Sequence, residues 1–359
     1  TFDGGGGHDY ILAYGTADTV LGGSGNDTIA RQIDLASIGA TLNGGTDSDT
    51  LRVFAGAVGV GDFRDDTVIN FETLTMEGSG FSYGVRFMAS QFTQFQTVTA
   101  LSHVGHARHV VIDMGTMTVL DLSGLTVTGF TESGDDFAVN GGANGETITG
   151  SSATDLLIGG GGNDILTGSG NDQLYGETDN DTLRLTAGVF NGRLDGGIGN
   201  DKLLLSGAGV FDLDETGLQI NSLEEIEFEA TIGDNDKTLL ITSKELDEAS
   251  EVPANLIIDF NANGANGEDE LRVIVTTAGG GTGNINASGW VIQDYQADFD
   301  TLRFDGDGTG NTITGTSVND IINGGAGADT LNGFSGHDVI EGGAGADIIN
   351  GGAGVDTAS

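Results

Sequence analysis

Gly324-Gly325-Ala326-Gly327-Ala328-Asp329-Thr330-Leu331-Asn332 is one copy of a nine-residue unit, G-G-x-G-x-D-x-U-x, in which U is a large aliphatic residue. Full copies follow at Gly342-Gly343-Ala344-Gly345-Ala346-Asp347 and Gly351-Gly352-Ala353-Gly354-Val355-Asp356, with a variant carrying Gly333, Gly336 and Asp338 between the first two. The acidic positions Asp320, Asp329, Asp338, Asp347 and Asp356 succeed one another at nine residues, and Asn311 stands nine before the first. Two residues after each comes Ile313, Ile322, Leu331, Ile340, Ile349 and finally Ala358. A fixed period of this kind marks a stacked repeat architecture.

The same unit opens the chain. Asp9, Asp18 and Asp27 are nine apart, with Ile11, Val20 and Ile29 two residues on and Gly5, Gly7, Gly23 and Gly25 in the turns before them. A middle block carries Glu146, Asp155, Asp164, Asp172 and Asp181, with Gly160 and Gly162. Asp172 arrives one residue early, so one residue is missing near Gly168. Partial copies close the first two blocks: Asp47 and Asp49 after Gly44-Gly45, and Gly197, Gly199 and Asp201.

Between blocks, glycine falls and Phe, Val, Thr and Leu rise, in short alternating runs such as Thr97-Val98-Thr99-Ala100-Leu101 and Thr118-Val119-Leu120-Asp121-Leu122. Ser243-Lys244-Glu245-Leu246-Asp247-Glu248 is the best candidate for a short helix, with Ser243 as its N-cap. The spacers resemble each other. Gly44-Gly45-Thr46-Asp47-Ser48-Asp49 matches Gly196-Gly197-Ile198-Gly199-Asn200-Asp201, and Asn70-Phe71-Glu72-Thr73-Leu74 matches Ser222-Leu223-Glu224-Glu225-Ile226, both at an offset of 152. The organisation read from this is roll (1–50), spacer (51–140), roll (141–201), spacer (202–305), roll (306–359). The spacers are expected to continue the solenoid axis with longer turns.

Composition narrows the chemistry. The 359 residues include 64 Gly, 1 Pro and 0 Cys, and 54 Asp plus Glu face 12 Lys plus Arg, a formal net charge of −42. Such a charge opposes compaction. Yet 37% of the residues are hydrophobic and periodic, unlike a disordered acidic tail. Bound cations resolve the conflict. Nucleic acid and anionic membrane surfaces are poor partners for so acidic a chain, and no apolar run is long enough to span a bilayer. Thr1-Phe2-Asp3-Gly4 starts inside a repeat, with no secretory leader, and Gly351 to Ser359 stop inside one. Both ends are therefore expected to have been cut from a longer or processed protein. Without Cys there is no disulfide framework, and the redox compartment stays open.

Calcium is the expected ion. Glycine permits the positive-φ turn and lets carbonyl oxygens approach closely. Aspartate adds a charged oxygen, and Ca²⁺ takes six to eight oxygens, carbonyl and carboxylate alike. Six residues of each unit form the turn and three a short strand, with U pointing inward. Two units make one turn of the solenoid, so ligands recur eighteen residues apart. Asp320, Asp338 and Asp356 should line one edge, and Asp329 and Asp347 the other. The missing residue near Gly168 should disturb one site. Asn311 and Glu146, at block edges, lack a neighbour on one side. Solvated Asx turns are the alternative, but they would not demand a nine-residue register.

The pattern resembles the RTX (repeat-in-toxin) family of hemolysin-type calcium-binding proteins of Gram-negative bacteria. That resemblance covers the three blocks, about half of the chain. It implies an all-β, right-handed parallel β-roll, type I secretion, and folding on meeting external Ca²⁺. On Asn70-Phe71-Glu72-Thr73-Leu74 the spacers look similar to segments of RTX surface-layer proteins and large RTX adhesins. That implies an extracellular, cell-surface location, with self-assembly into a lattice or filament, or cell-surface glycans, as partners.

Enzymatic readings are weaker. None of the five His precedes a Glu in a zinc-protease motif. Gly80-Phe81-Ser82-Tyr83-Gly84 matches G-x-S-x-G, but a nucleophile elbow needs a following helix, and Val85-Arg86-Phe87 reads as strand. On a strand, His103 and His109 would share a face while His106 takes the other, which disfavours a metal site. Trp290 and Tyr295 read as corner packing. Two functions remain: a non-enzymatic surface-layer or adhesin component, or the calcium-binding tail of a secreted hydrolase or epimerase.

Overall fold

A computed structural model describes residues 1–14, 17–32, 39–55, 59–78, 82–101, 106–131, 134–213, 218–229, 237–247, 255–260, 268–276 and 283–359. Two compact units divide the chain, Thr1–Gly161 and Gly162–Ser359. Both are parallel β-solenoids.

In the first unit, one parallel ladder runs through Phe2–Gly6, Thr19–Ser24, Thr41–Thr46 and Thr67–Ile69. A second runs through Tyr10–Ala13, Thr28–Gln32, Thr50–Ala55, Thr73–Gly78, Thr97–Leu101 and Thr126–Thr128. A third joins Gly59–Asp62, Tyr83–Met88, Arg108–Asp113, Asp136–Asn140 and Asp155–Gly161. Register sets the turn length. Ile11 pairs with Ile29, eighteen residues on, and Ile29 with Leu51, twenty-two on; Leu74 pairs with Val98 and Val98 with Val127, twenty-four and twenty-nine on. The roll thus passes into the spacer along one unbroken ladder, and the extra residues enter as longer turns.

Alternation on each strand sends every second side chain inward. Ile29, Leu51, Leu74 and Val98 stack with no exposed surface, as do Val85 and Val110 on the third ladder. Each such burial contributes roughly 1.5–3 kcal/mol. The wider spacer turns are filled by aromatic rings. Phe63 stacks on Phe87 at 4.8 Å, and Phe87 meets Phe92 and Phe95 edge-on or tilted at 5.9 and 5.7 Å. Phe92 rides on a four-residue helix, Ala89–Phe92, that sequence periodicity does not reveal. One turn of helix is too short for a 3.6 pattern to register.

In the second unit the principal ladder begins Ile165–Gly170, Thr182–Phe190, Lys202–Leu213 and then forks. The first half of the twelve-residue strand Lys202–Leu213 pairs with Glu225–Phe228, and the second half with Lys237–Thr242. The latter branch continues through Glu270–Val275, Thr301–Gly306, Asp320–Asn323, Val339–Glu341 and Thr357–Ala358. The short helix foreseen at residues 243–248 forms over Ser243–Asp247, with the Ser243 hydroxyl accepting the Thr276 N–H (3.2 Å).

The C-terminal block is the most regular. Its strands alternate between two ladders, pairing Ile313 with Leu331 and Leu331 with Ile349 on one, and Ile322 with Ile340 and Ile340 with Ala358 on the other. Each pairing spans eighteen residues, two nonapeptides per turn.

Candidate calcium ladders

Along each roll, backbone N–H groups at the acidic position donate to the carboxylate of the counterpart one turn on. The Asp9 N–H donates to Oδ1 of Asp27 (2.8 Å), and the Asp27 N–H to Oδ1 of Asp49 (2.7 Å). In the second unit Asp164 donates to Asp181 and Asp181 to Asp201, both at 2.8 Å. In the C-terminal block Asp320 donates to Asp338 (2.9 Å) and Asp338 to Asp356 (3.1 Å) along one edge. Asn311 donates to Asp329 (2.7 Å) and Asp329 to Asp347 (3.0 Å) along the other.

This bond engages one carboxylate oxygen. The second, Oδ2, is buried without any hydrogen-bond partner in Asp9, Asp27, Asp49, Asp181, Asp201, Asp329 and Asp338. A buried carboxylate oxygen left unpaired costs several kcal/mol unless something positive meets it.

The first glycine of each unit makes the space. A Cβ placed on Gly324 would lie 2.5 Å from the Gly342 carbonyl oxygen and 2.6 Å from Oδ2 of Asp329. On Gly4 it would lie 2.5 Å from the Gly22 carbonyl oxygen and 2.7 Å from Oδ2 of Asp9. The same pair of oxygens, carbonyl of the next turn and own carboxylate, crowds the missing Cβ at Gly22, Gly44, Gly176, Gly196 and Gly333. The second and fourth positions need left-handed backbone, as at Gly325 (φ 88°) and Gly327 (φ 125°). Asp47, Glu177, Asp179 and Phe334 adopt it without being glycine, at φ 86°, 79°, 80° and 73°, a cost of about 1–2 kcal/mol each. Unpaired carboxylate oxygens beside carbonyl oxygens, in a cradle without side chains, form a donor set suited to a hard cation such as Ca²⁺.

Not every acidic position is open in this way. Asp155 is closed by its own turn: the Ser151 N–H and hydroxyl donate to its carboxylate (2.6 and 3.1 Å). Asp320 is closed likewise by Thr316 (2.7 and 2.9 Å), and Asn311 takes the Asp307 N–H (3.1 Å). At the shortened repeat the Ser169 N–H donates to Asp172 (2.7 Å), and the Asp172 N–H returns to the Ser169 carbonyl (3.2 Å). On the Asp18 edge, the next acidic position is Ala40, whose N–H donates to Asp66 (2.8 Å).

Sequence reasoning did not single out three kinds of residue. Asp179 precedes Asp181 by two, as Asp47 precedes Asp49, and the two carboxylates accept the N–H groups of Gly162 and Gly25, each at 3.0 Å. Glu72 and Glu224 end the first two ladders by accepting the N–H of Asp49 and of Asp201, both at 2.7 Å. The 152-residue offset aligns them, so the signal was present; the longer side chain reaches across a turn of twenty-three residues. Asp66 belongs to a turn with no period to reveal it. Glu224→Ala leaves a buried N–H unpaired and should cost about 1–3 kcal/mol, read as a lowered thermal midpoint in saturating calcium. Glu224→Gln, which keeps an acceptor, should recover most of it.

Electrostatics within the ladder are unfavourable without an ion. Burial, opposed in part by the backbone hydrogen bond and reinforced by the neighbouring Asp201, pushes Asp181 up to about 7. Burial and then Glu224 push Asp201 up to about 6, and Asp49 is raised by burial and by Asp27, Glu72 and Asp47. Because these values lie above the unfolded carboxylate's, the two Asp stabilise the ion-free fold most in acid, and that contribution is lost as pH rises through 6–7. Calcium requires the deprotonated form. Calorimetric titration should therefore show calcium binding at pH 7.5 but binding at pH 5.5 about tenfold or more weaker, with proton release. Affinity unchanged between the two would show that these carboxylates are not ligands.

The other candidates resolve into packing. His103 and Gly80-Phe81 lie outside the described residues. Nδ1 of His109 bonds Asp136 (2.7 Å), Ser82 accepts the Ala107 N–H (3.1 Å), and the residues after it, Tyr83–Met88, are strand. Trp290 is buried beside Phe304, and the Tyr295 hydroxyl donates to the Asn319 carbonyl (3.0 Å).

Fold and turns together define a calcium-binding parallel β-roll. A family model for the RTX calcium-binding nonapeptide repeat, four copies long, matches residues 1–29, 140–169, 165–189, 305–334 and 330–358. These blocks are repeats of the RTX hemolysin-type calcium-binding kind, which bind several Ca²⁺ ions. No curated protein matches it. RTX repeat proteins are typically secreted by type I systems and extracellular. Among the described residues, no helix is long and apolar enough to cross a membrane.

Proposed function

We propose that this chain is part of an extracellular structural protein of surface-layer or adhesin type, stiffened by Ca²⁺ held in the roll turns. The ions would lie against Oδ2 of Asp9, Asp27, Asp49, Asp181, Asp201, Asp329 and Asp338 and the backbone carbonyls of the next turn, with the two C-terminal edges loading as parallel rows. One observation carries the structural reading. The ladder ending in a glutamate cap occurs twice, at Asp49–Glu72 and Asp201–Glu224, each time leading into a spacer that prolongs the parallel ladder. Duplicated roll and spacer suit a repeating scaffold better than a tail serving one catalytic domain. Electron microscopy tests it: a lattice or filament formed with Ca²⁺ and lost in chelator is expected. A dispersed monomer at high protein concentration with Ca²⁺ would favour the tail of a secreted hydrolase or epimerase instead.

A further inference from the structure

All twelve Lys and Arg lie between Arg31 and Arg303; residues 304–359 contain none. Most sit on outer faces in ion pairs with Asp or Glu, such as Arg86 with Asp113 and Arg272 with Asp305. Three are buried: Arg31, Arg108 and Lys237, at 2%, 2% and 3% exposure. Two of these three occupy a specific place. Arg108 stands two residues before the inward Val110, and Lys237 two before the inward Leu239, where a roll carries its ladder aspartate.

Their backbone makes the ladder bond as well. The Arg108 N–H donates to Oδ1 of Asp135 (2.7 Å), and the Lys237 N–H to Oδ1 of Asp269 (3.0 Å), each one turn on. The Arg108 guanidinium turns back into its own loop. It donates to the carbonyl oxygens of His106 (2.7 Å) and Ala107 (3.3 Å) and lies 4.8 Å from the ring centroid of Tyr83, one turn before. Carbonyl and carboxylate oxygens are also the groups that a roll offers to a calcium ion.

We infer that Arg108 and Lys237 are built-in cations that take the place of Ca²⁺ at spacer turns, so that the spacers hold their ladders without calcium while the rolls do not. In the roll, like charges stack turn upon turn and need an external ion. In each spacer a cation stands one turn before a carboxylate on the same line, Arg108 before Asp135 and Lys237 before Asp269, so each pair balances its own charge as built. Guanidinium suits this place because it is always charged and offers several donors in one plane to carbonyls and to an aromatic face. External calcium would then switch only the rolls, leaving pre-folded spacers between them. This rests on the rolls being the calcium-dependent segments.

Hydrogen exchange by mass spectrometry on the full chain, with excess chelator and with millimolar Ca²⁺, separates the two claims. Strands Tyr83–Met88, Arg108–Asp113, Lys237–Thr242 and Glu270–Val275 should keep their protection in chelator, while Asp320–Asn323, Val339–Glu341 and Ile348–Asn350 lose theirs. Spacer strands exchanging as fast as roll strands in chelator would overturn the inference. Roll strands protected equally in both conditions would overturn the calcium reading beneath it. Arg108→Met should lose protection over 83–113 in chelator without affecting 237–275, Lys237→Met should do the converse, and Arg108→Lys should restore much of what Arg108→Met loses. Unchanged protection in both Met variants would show the cations to be incidental.

Discussion

Withdrawing calcium from this chain is expected to unfold the C-terminal block, with most of its far-ultraviolet β signal and amide protection lost, and restoring millimolar Ca²⁺ should bring both back. Three facts make the effect large. Residues 304–359 carry acidic side chains and no Lys or Arg, so no fixed positive charge of their own balances the ladder. The core there is thin: strands of two to four residues each send inward a single aliphatic side chain or two, such as Ile322, Leu331 and Ile340. The carboxylates are also crowded, and burial first, then Asp356, raises Asp338 above its ordinary range. Each site contributes about 2.7 kcal/mol when calcium stands a hundredfold above its dissociation constant. Neighbouring turns share carboxylates, so loading should be cooperative, as expected of a stack whose turns touch only their neighbours. Magnesium should not substitute, because it demands smaller, near-octahedral coordination and sheds water reluctantly. A β signal already full in chelator, and unmoved by calcium, would remove the basis of the whole functional reading.

The second large effect is expected from a single methyl group. Gly324→Ala puts a carbon 2.5 Å from the Gly342 carbonyl oxygen and 2.6 Å from Oδ2 of Asp329. Neither can yield without shifting the backbone of the next turn or the ligand itself, so the cradle fills and its ion is lost. The loss of one site, with the strain of overpacking, amounts to about 3–5 kcal/mol. Calorimetry should count fewer ions, and the thermal midpoint in saturating calcium should fall. Gly308→Ala, in the same block, is the control: nothing lies within 4 Å of its added carbon, and its backbone is not left-handed. Gly324→Ala and Gly308→Ala behaving alike would show that the cradle at Gly324 holds nothing.

Much of this was legible in the residues themselves. A nine-residue period with an aliphatic residue two after each Asp dictates the two strands per turn, because both inward positions must repeat together; Ile313 over Leu331 over Ile349 follows. The calcium chemistry follows from glycine and aspartate in one turn. What sequence could not show is how each carboxylate divides its two oxygens. Asp155, Asp320 and Asp338 hold the same place in the repeat, yet Ser151 and Thr316 close the first two with their N–H groups and hydroxyls, while Oδ2 of Asp338 stays open. That difference depends on which atoms reach the carboxylate across a folded turn. The same holds for Glu72 and Glu224, whose length matters only once a longer turn lies beside the ladder, and for Arg108 and Lys237. In sequence these two are isolated basic residues; only stacking places them on the aspartate line. Local period determined the fold of this protein, and contacts between turns decided which of its charges face an ion.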